Sequence, residues 1–125
     1  MVQTIGSIQQ LNEIMSKTPH THVLLDVYAN WCAPCMSIVP VVEKWAEIFT
    51  DILFLKIFIN DEIIETHDIE SIPAFLLFQT SDACKLEQYT GAQTDLIYKK
   101  LCEVSEVVIE LSDEKEETDD DFTSL

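Results

Sequence analysis

Residues 22–29 read HVLLDVYA, an apolar run broken by a single acid. A buried helix needs more length than this, and the β-branched and aromatic content suits a central strand covered on both faces. A second run of the same character, LFLKIFI, occupies residues 53–59. Between them, residues 34–49 set Ile38, Val41, Val42, Trp45, Ile48 and Phe49 on one helical stripe. Two buried strands joined through an amphipathic helix form a parallel βαβ unit, and few folds accommodate one in so short a chain. Pro40 lies inside the stripe and is expected to kink the helix without ending it, because the pattern resumes beyond it.

The flanking segments extend the alternation. Residues 2–5 suit a short strand. Ser7-Ile8-Gln9-Gln10 fits a capping box, and Ile8, Leu11, Ile14 and Met15 continue a helix over residues 7–17, broken by Thr18-Pro19-His20. Residues 61–68 read as a short helix and 75–79 as a third central strand. Thr80-Ser81-Asp82 is a turn into a fourth, at 84–89. After Gly91 a last helix carries Ile97, Leu101, Val104, Val108 and Leu111 on one stripe. The order β-α-β-α-β-α-β-β-α predicts an α/β fold: a mainly parallel sheet with helices on both faces, closed by an antiparallel hairpin.

A chain of 125 residues with 47% hydrophobic content suits one domain with a real core. Its 23 acids face seven lysines and no arginine, for a formal charge of −16. Such a surface repels phosphate backbones and anionic lipid, so neither nucleic acid nor membrane is expected as a partner. Basic protein surfaces, or a groove on a large assembly, suit it better. The N-terminus MVQTIGSIQQ lacks an apolar signal core, and no apolar run approaches the roughly 18–20 residues of a membrane span. A cytoplasmic location is expected. Residues 112–125, SDEKEETDDDFTSL, carry −6 of the −16 and are too polar to bury a core. The expected division is a folded domain over 1–111 and a disordered acidic tail over 112–125, either solubilising or docking a basic partner through Phe122 and Leu125.

Into this frame falls NWCAPCM, residues 30–36, where the first strand ends and the helix begins. Zinc needs four ligands; Cys32 and Cys35 supply two, Cys84 and Cys102 stand alone, and His20, His22 and His67 show no paired spacing. No metal and no cofactor is therefore expected. A structural disulfide across so short a loop constrains the unfolded chain little, and a reducing compartment would open it. Thiol–disulfide exchange fits better. The N–H groups at a helix start favour a thiolate at Cys32, Cys35 lies a turn further in as the resolving thiol, and Pro34 suits the first helical turn. Cys84 and Cys102 read as small apolar packing residues.

With these residues in view, the chain resembles thioredoxin from about residue 2 to about 110. The resemblance implies the thioredoxin fold, with a central mixed sheet flanked by helices on both faces. Asp26, six residues before Cys32, matches the buried aspartate that assists the resolving thiol. Lys56 matches its lysine neighbour on the next strand, and Pro40 matches the helix kink. Ile72-Pro73 before FLLF matches the cis-proline loop that binds extended substrate, and Gly91 matches the glycine closing the same groove. The resemblance thus makes Cys32, Cys35, Asp26 and Lys56 catalytic, and lines the substrate groove with Trp31, Ala33, Pro34, Ile72, Pro73, Ala74 and Gly91. A simple core ion pair between Asp26 and Lys56 is the alternative to a catalytic aspartate.

Four positions depart from the family pattern. Ala33 replaces the usual glycine, Met36 a frequent cation, Tyr28 a common tryptophan and Ala74 a common threonine. Losing the cation, in so acidic a chain, predicts a Cys32 thiol less acidic than the value of roughly 7 typical of the family.

Two functions follow from the resemblance. The first is a protein-disulfide reductase recharged by a thioredoxin reductase. The second rests on Asp26-Val27-Tyr28 before the cysteine loop and on the acidic tail. Both are similar to axonemal thioredoxins: light chains of outer-arm dynein, and thioredoxin domains fused to nucleoside diphosphate kinase-like domains. That reading implies a dynein heavy chain as partner, a cilium axoneme as location and a structural or redox-sensing role for the thiols.

Overall fold

The computed structural model describes residues 1–107. The elements run β1 (Gln3–Ile5), α1 (Ile8–Lys17), β2 (His22–Tyr28), α2 (Ala33–Ser37), α3 (Val39–Ile48), β3 (Ile52–Phe58), α4 (Asp61–His67), β4 (Ala74–Gln79), β5 (Cys84–Thr90) and α5 (Thr94–Val104). The five strands form one sheet in the order β1-β3-β2-β4-β5. The apolar run HVLLDVYA thus becomes the middle strand, with Val23 to Val27 all buried.

The expectation of a mainly parallel sheet needs correcting. β1 and β2 lie parallel to β3, but β4 lies antiparallel to β2, as β5 does to β4. The connection explains it. A seven-residue α4 spans only about 10 Å, against about 23 Å for a seven-residue strand. The helix covers less than half of the way back, and the chain enters β4 from the end where β3 finished. The cysteine loop sits at that same end.

Each face of the sheet carries its own core. On one, Leu11 and Met15 of α1 and Ile63 of α4 pack with Val23, Leu25, Val27, Leu55 and Ile57. On the other, Val42, Trp45 and Phe49 of α3 and Ile97 and Leu101 of α5 pack with Leu24, Phe54, Phe75 and Leu77. This two-faced burial is why the central strands read as continuous apolar runs.

Helix ends follow local chemistry. The Ser7 hydroxyl accepts from Gln10 N–H at 3.1 Å, as the capping box predicts, but the Gln10 side chain accepts from Gly6 N–H at 2.8 Å, one residue earlier than expected. Asn60 caps α4 through Ile63 N–H at 2.8 Å, with Asp61 and Glu62 in the first turn favoured by the helix dipole. Pro40 does more than kink: α2 and α3 are separate segments meeting at Ile38, with Pro40 in the first turn of α3, where no N–H is missed.

The last helix is shorter than its apolar stripe. Asp51 accepts from the Ser105 hydroxyl and from Glu106 N–H, both at 2.7 Å, and Ser105 turns extended at φ −76, ψ 142. α5 therefore ends at Val104. Val108 and Leu111, like the acidic stretch 112–125, lie outside the described residues.

Candidate active site

The dithiol is built by the switch from β2 to α2. After Tyr28 the chain turns through Ala29, whose carbonyl accepts from Cys32 N–H at 3.2 Å. Cys32 is the N-cap of α2, its backbone extended, and its sulfur accepts from Cys35 N–H at 3.3 Å. The first helical bond, Met36 N–H to the Cys32 carbonyl, is 3.1 Å. Pro34 lies in the first turn, where its missing N–H costs nothing. The two cysteines are joined by a disulfide, with Cα atoms 5.3 Å apart. Cys32 retains 8% exposure and Cys35 only 1%, so one sulfur borders the surface and the other lies beneath it.

Opposite stands the loop before β4. The Ile72–Pro73 bond is cis, as the resemblance implies. The Ile72 carbonyl oxygen lies 3.8 Å from Cys32 Sγ, and the Ile72 side chain packs with Ile59 and Tyr28 against the cysteines. Gly91 N–H donates to the Pro73 carbonyl at 2.7 Å. Its φ of +87 explains a glycine there, since a Cβ would meet nothing within 4 Å yet would be strained. Trp31 is 75% exposed and Met36 44%, making an apolar rim beside the pair, and Ala33 and Pro34 are exposed between the cysteines. Ala74 is placed differently from the rest: it is buried, with its side chain in the core cluster of Val27 and Leu76 and its backbone between Val27 of β2 and Thr90 of β5.

Asp26 is the buried charged side chain among the described residues, 5% exposed, and its Oδ1 has no hydrogen-bond partner. Burial pushes its carboxyl from 3.8 up to about 7, with the Lys56 ammonium pulling the other way. Asp26 and Lys56 stand in register on adjacent strands, yet the simple ion pair is not formed: within 4 Å, the salt bridges among the described residues are those of Lys100 with Glu87 and Glu103. Lys56 Nζ instead lies 5.4 Å above the Tyr28 ring. Sequence reasoning missed this contact, and with it Phe58, whose ring meets Tyr28 edge-on. The signal was present, since Lys56 and Phe58 alternate on the face that Asp26 and Tyr28 share.

Cys84 and Cys102 do not pack as apolar groups; both are exposed free thiols. Cys84 opens the edge strand β5, and Cys102 follows Leu101 onto the outer side of α5. No group of three or more His, Cys, Asp or Glu side chains among the described residues is placed to hold a metal. An open hollow of about 470 Å³ is lined by Gln3, Gln10, Glu13, Ile14, Lys17, Thr18 and Leu53, toward the opposite end of the sheet. The dithiol, by contrast, sits on a surface rim, where it can meet a sulfur held in another large molecule. A bonded pair so placed is chemically able to exchange with a thiol that reaches it.

The family model for thioredoxin matches residues 4–103. The chain belongs to the thioredoxin family. It is 32% identical over 75 residues to Thioredoxin-2 of Pyricularia oryzae, covering 58% of this chain and 43% of that protein. It is also 26% identical over 103 residues to a peptide-N(4)-(N-acetyl-beta-glucosaminyl)asparagine amidase of Caenorhabditis elegans, covering 80% of this chain and 17% of that protein. It thus spans less than half the length of either relative. Among solved structures, thioredoxin f from spinach chloroplast (short form) superposes with a TM-score of 0.73 at 26% identity, covering 82% of this chain and 91% of that one. The thioredoxin fold, with its mixed five-stranded sheet between helices, is therefore shared over 82% of the chain.

Proposed function

We propose that this thioredoxin-family chain is a thiol–disulfide oxidoreductase that reduces disulfides in protein substrates. The observation that carries the proposal is the placement of Cys32: a bordering sulfur that accepts a backbone N–H and lies against the Ile72 carbonyl, over a buried partner. In the reduced protein, the Cys35 N–H favours the Cys32 thiolate. That thiolate attacks one sulfur of the substrate disulfide, forming a Cys32–substrate bond and releasing the other substrate sulfur as a thiolate. Cys35 then gives its proton to Asp26 and attacks Cys32 Sγ. The intramolecular disulfide forms, the second substrate thiolate leaves, and two electrons have passed to the substrate. A carboxyl poised near 7 can take and return a proton at neutral pH, and Lys56 tunes it. Trp31, Ala33 and Pro34 wall one side of the substrate groove; Ile72, Pro73 and Gly91 wall the other, with Ala74 packed beneath them. Recharging falls to an external dithiol donor such as a thioredoxin reductase. The location proposed for this activity is the cytoplasm.

The second reading is a subunit anchored on an axonemal outer-arm dynein heavy chain in a cilium. Asp26-Val27-Tyr28 and the acidic stretch 112–125 favour it. One experiment separates the two. A Cys35→Ser bait should hold substrates as mixed disulfides on Cys32, with a Cys32→Ser, Cys35→Ser bait as control. Many partners released by reductant and missing from the control support the reductase. One large partner retained by both baits supports the subunit, and its capture would overturn the first proposal.

A further inference from the structure

The alternation of β2 and β3 sets four side chains in a block on one face of the sheet. Asp26 is in register with Lys56, and Tyr28 with Phe58. A lysine beside an unpartnered buried carboxylate would ordinarily turn to it, because a buried charge is costly unless paired. Lys56 does not. Its Nζ sits 5.4 Å above the Tyr28 ring centroid, within range for a cation–π contact. That ring is itself fixed, since Phe58 meets it at 5.8 Å with planes 81° apart, the edge-to-face arrangement aromatic pairs prefer. Phe58 is 43% exposed, so a large apolar side chain is kept at the rim where its contact with Tyr28 is its visible use.

We propose that Tyr28, backed by Phe58, is a positioning residue that holds the Lys56 ammonium off Asp26, so that this buried carboxyl remains free to take and return a proton. The inference rests on the proposed reductase chemistry for its consequence and on the geometry alone for its existence. Without the ring, Lys56 turns onto Asp26, the ion pair forms, and the carboxylate is stabilised as an anion. Other charges do not compete. β4 presents Phe75 opposite Asp26, and Cys32 and Cys35 do not titrate while bonded. Burial apart, Lys56 is the influence acting on the Asp26 carboxyl.

The test is a double-mutant cycle read by carboxyl ¹³C NMR titration of Asp26 in the oxidised full chain, which needs no turnover. Tyr28→Leu keeps apolar volume and removes the π face; bringing the ammonium into contact should lower the Asp26 midpoint by about one pH unit. Tyr28→Phe retains the ring and should leave the midpoint in place. Phe58→Leu should shift it in the same direction by less, and serves if Tyr28→Leu does not fold. Lys56→Met should raise it, and adding Tyr28→Leu to Lys56→Met should then change nothing. The pH profile for reduction of insulin disulfides should move acidward in Tyr28→Leu alone. An unchanged or raised midpoint in both Tyr28→Leu and Phe58→Leu would overturn the inference, as would an equal shift with Lys56 absent. A loss of insulin reduction in the unaltered chain would instead strike the reductase reading and leave the NMR result standing.

Discussion

Removing the Asp26 carboxylate should make the protein more stable at neutral and alkaline pH, and by a large amount. Asp26 is 5% exposed with an unpartnered oxygen, and burial raises its carboxyl from 3.8 to about 7. Between those values the folded state holds a proton that the unfolded chain has released, so the contribution of Asp26 to stability falls as pH rises from about 4 to about 7 and is flat above. The shift is roughly three pH units, and at about 1.4 kcal/mol each the ionised carboxylate costs the folded state about 4 kcal/mol above pH 7. Asp26→Ala deletes this cost. It also loses some packing, but by the same amount at every pH. Urea unfolding of the oxidised pair at pH 4 and pH 8 isolates the effect, because every other titrating group cancels between variant and wild type. The variant should gain about 4 kcal/mol on wild type between the two conditions. A difference constant to within about 1 kcal/mol would refute the claim that a carboxyl is held near neutrality by burial.

Three further outcomes follow from single contacts. Gly91→Ala should cost about 1–2 kcal/mol in urea unfolding, because its φ of +87 strains any L side chain while the space around it is open; a neutral result would mean that this turn relaxes freely. Asp51→Ala should raise amide exchange over the last turn of α5 and cost about 1–2 kcal/mol, through loss of its bonds to Ser105 and Glu106; unchanged exchange there would remove Asp51 as the helix stop. Met36→Lys adds a cation one residue beyond Cys35 and should speed alkylation of reduced Cys32 at pH 7 about twofold, an effect that fades in high salt; a rate independent of the substitution would show that local charge does not govern this thiol.

What the sequence discloses depends on whether the physics is local. HVLLDVYA had to be a central strand, because only burial on both faces uses an apolar run without alternation, and β2 indeed lies between β3 and β4. The cap at Ser7 and the dithiol at a helix start were legible for the same reason, each being settled within four residues. The direction of β4 was not, since it depends on the end of the sheet at which the connection from β3 leaves the chain and not on any residue within the strand. Nor was the end of α5: Val108 and Leu111 continue the helical spacing perfectly well, and what stops the helix is a carboxylate 54 residues away in sequence. The site divides along this line too. Cys32, Cys35, Asp26 and the Ile72–Pro73 loop are marked by type and spacing, and the fold brings the loop to within 3.8 Å of the Cys32 sulfur. The choice Lys56 makes between a carboxylate and an aromatic face is marked by neither. Position alone favoured the ion pair, and the side chain's actual lodging on Tyr28 depends on a ring that Phe58 holds from the neighbouring strand. The chemistry of the dithiol is therefore written in three separated motifs. Its tuning is written in an alternation across two strands, which becomes visible only once their register is known.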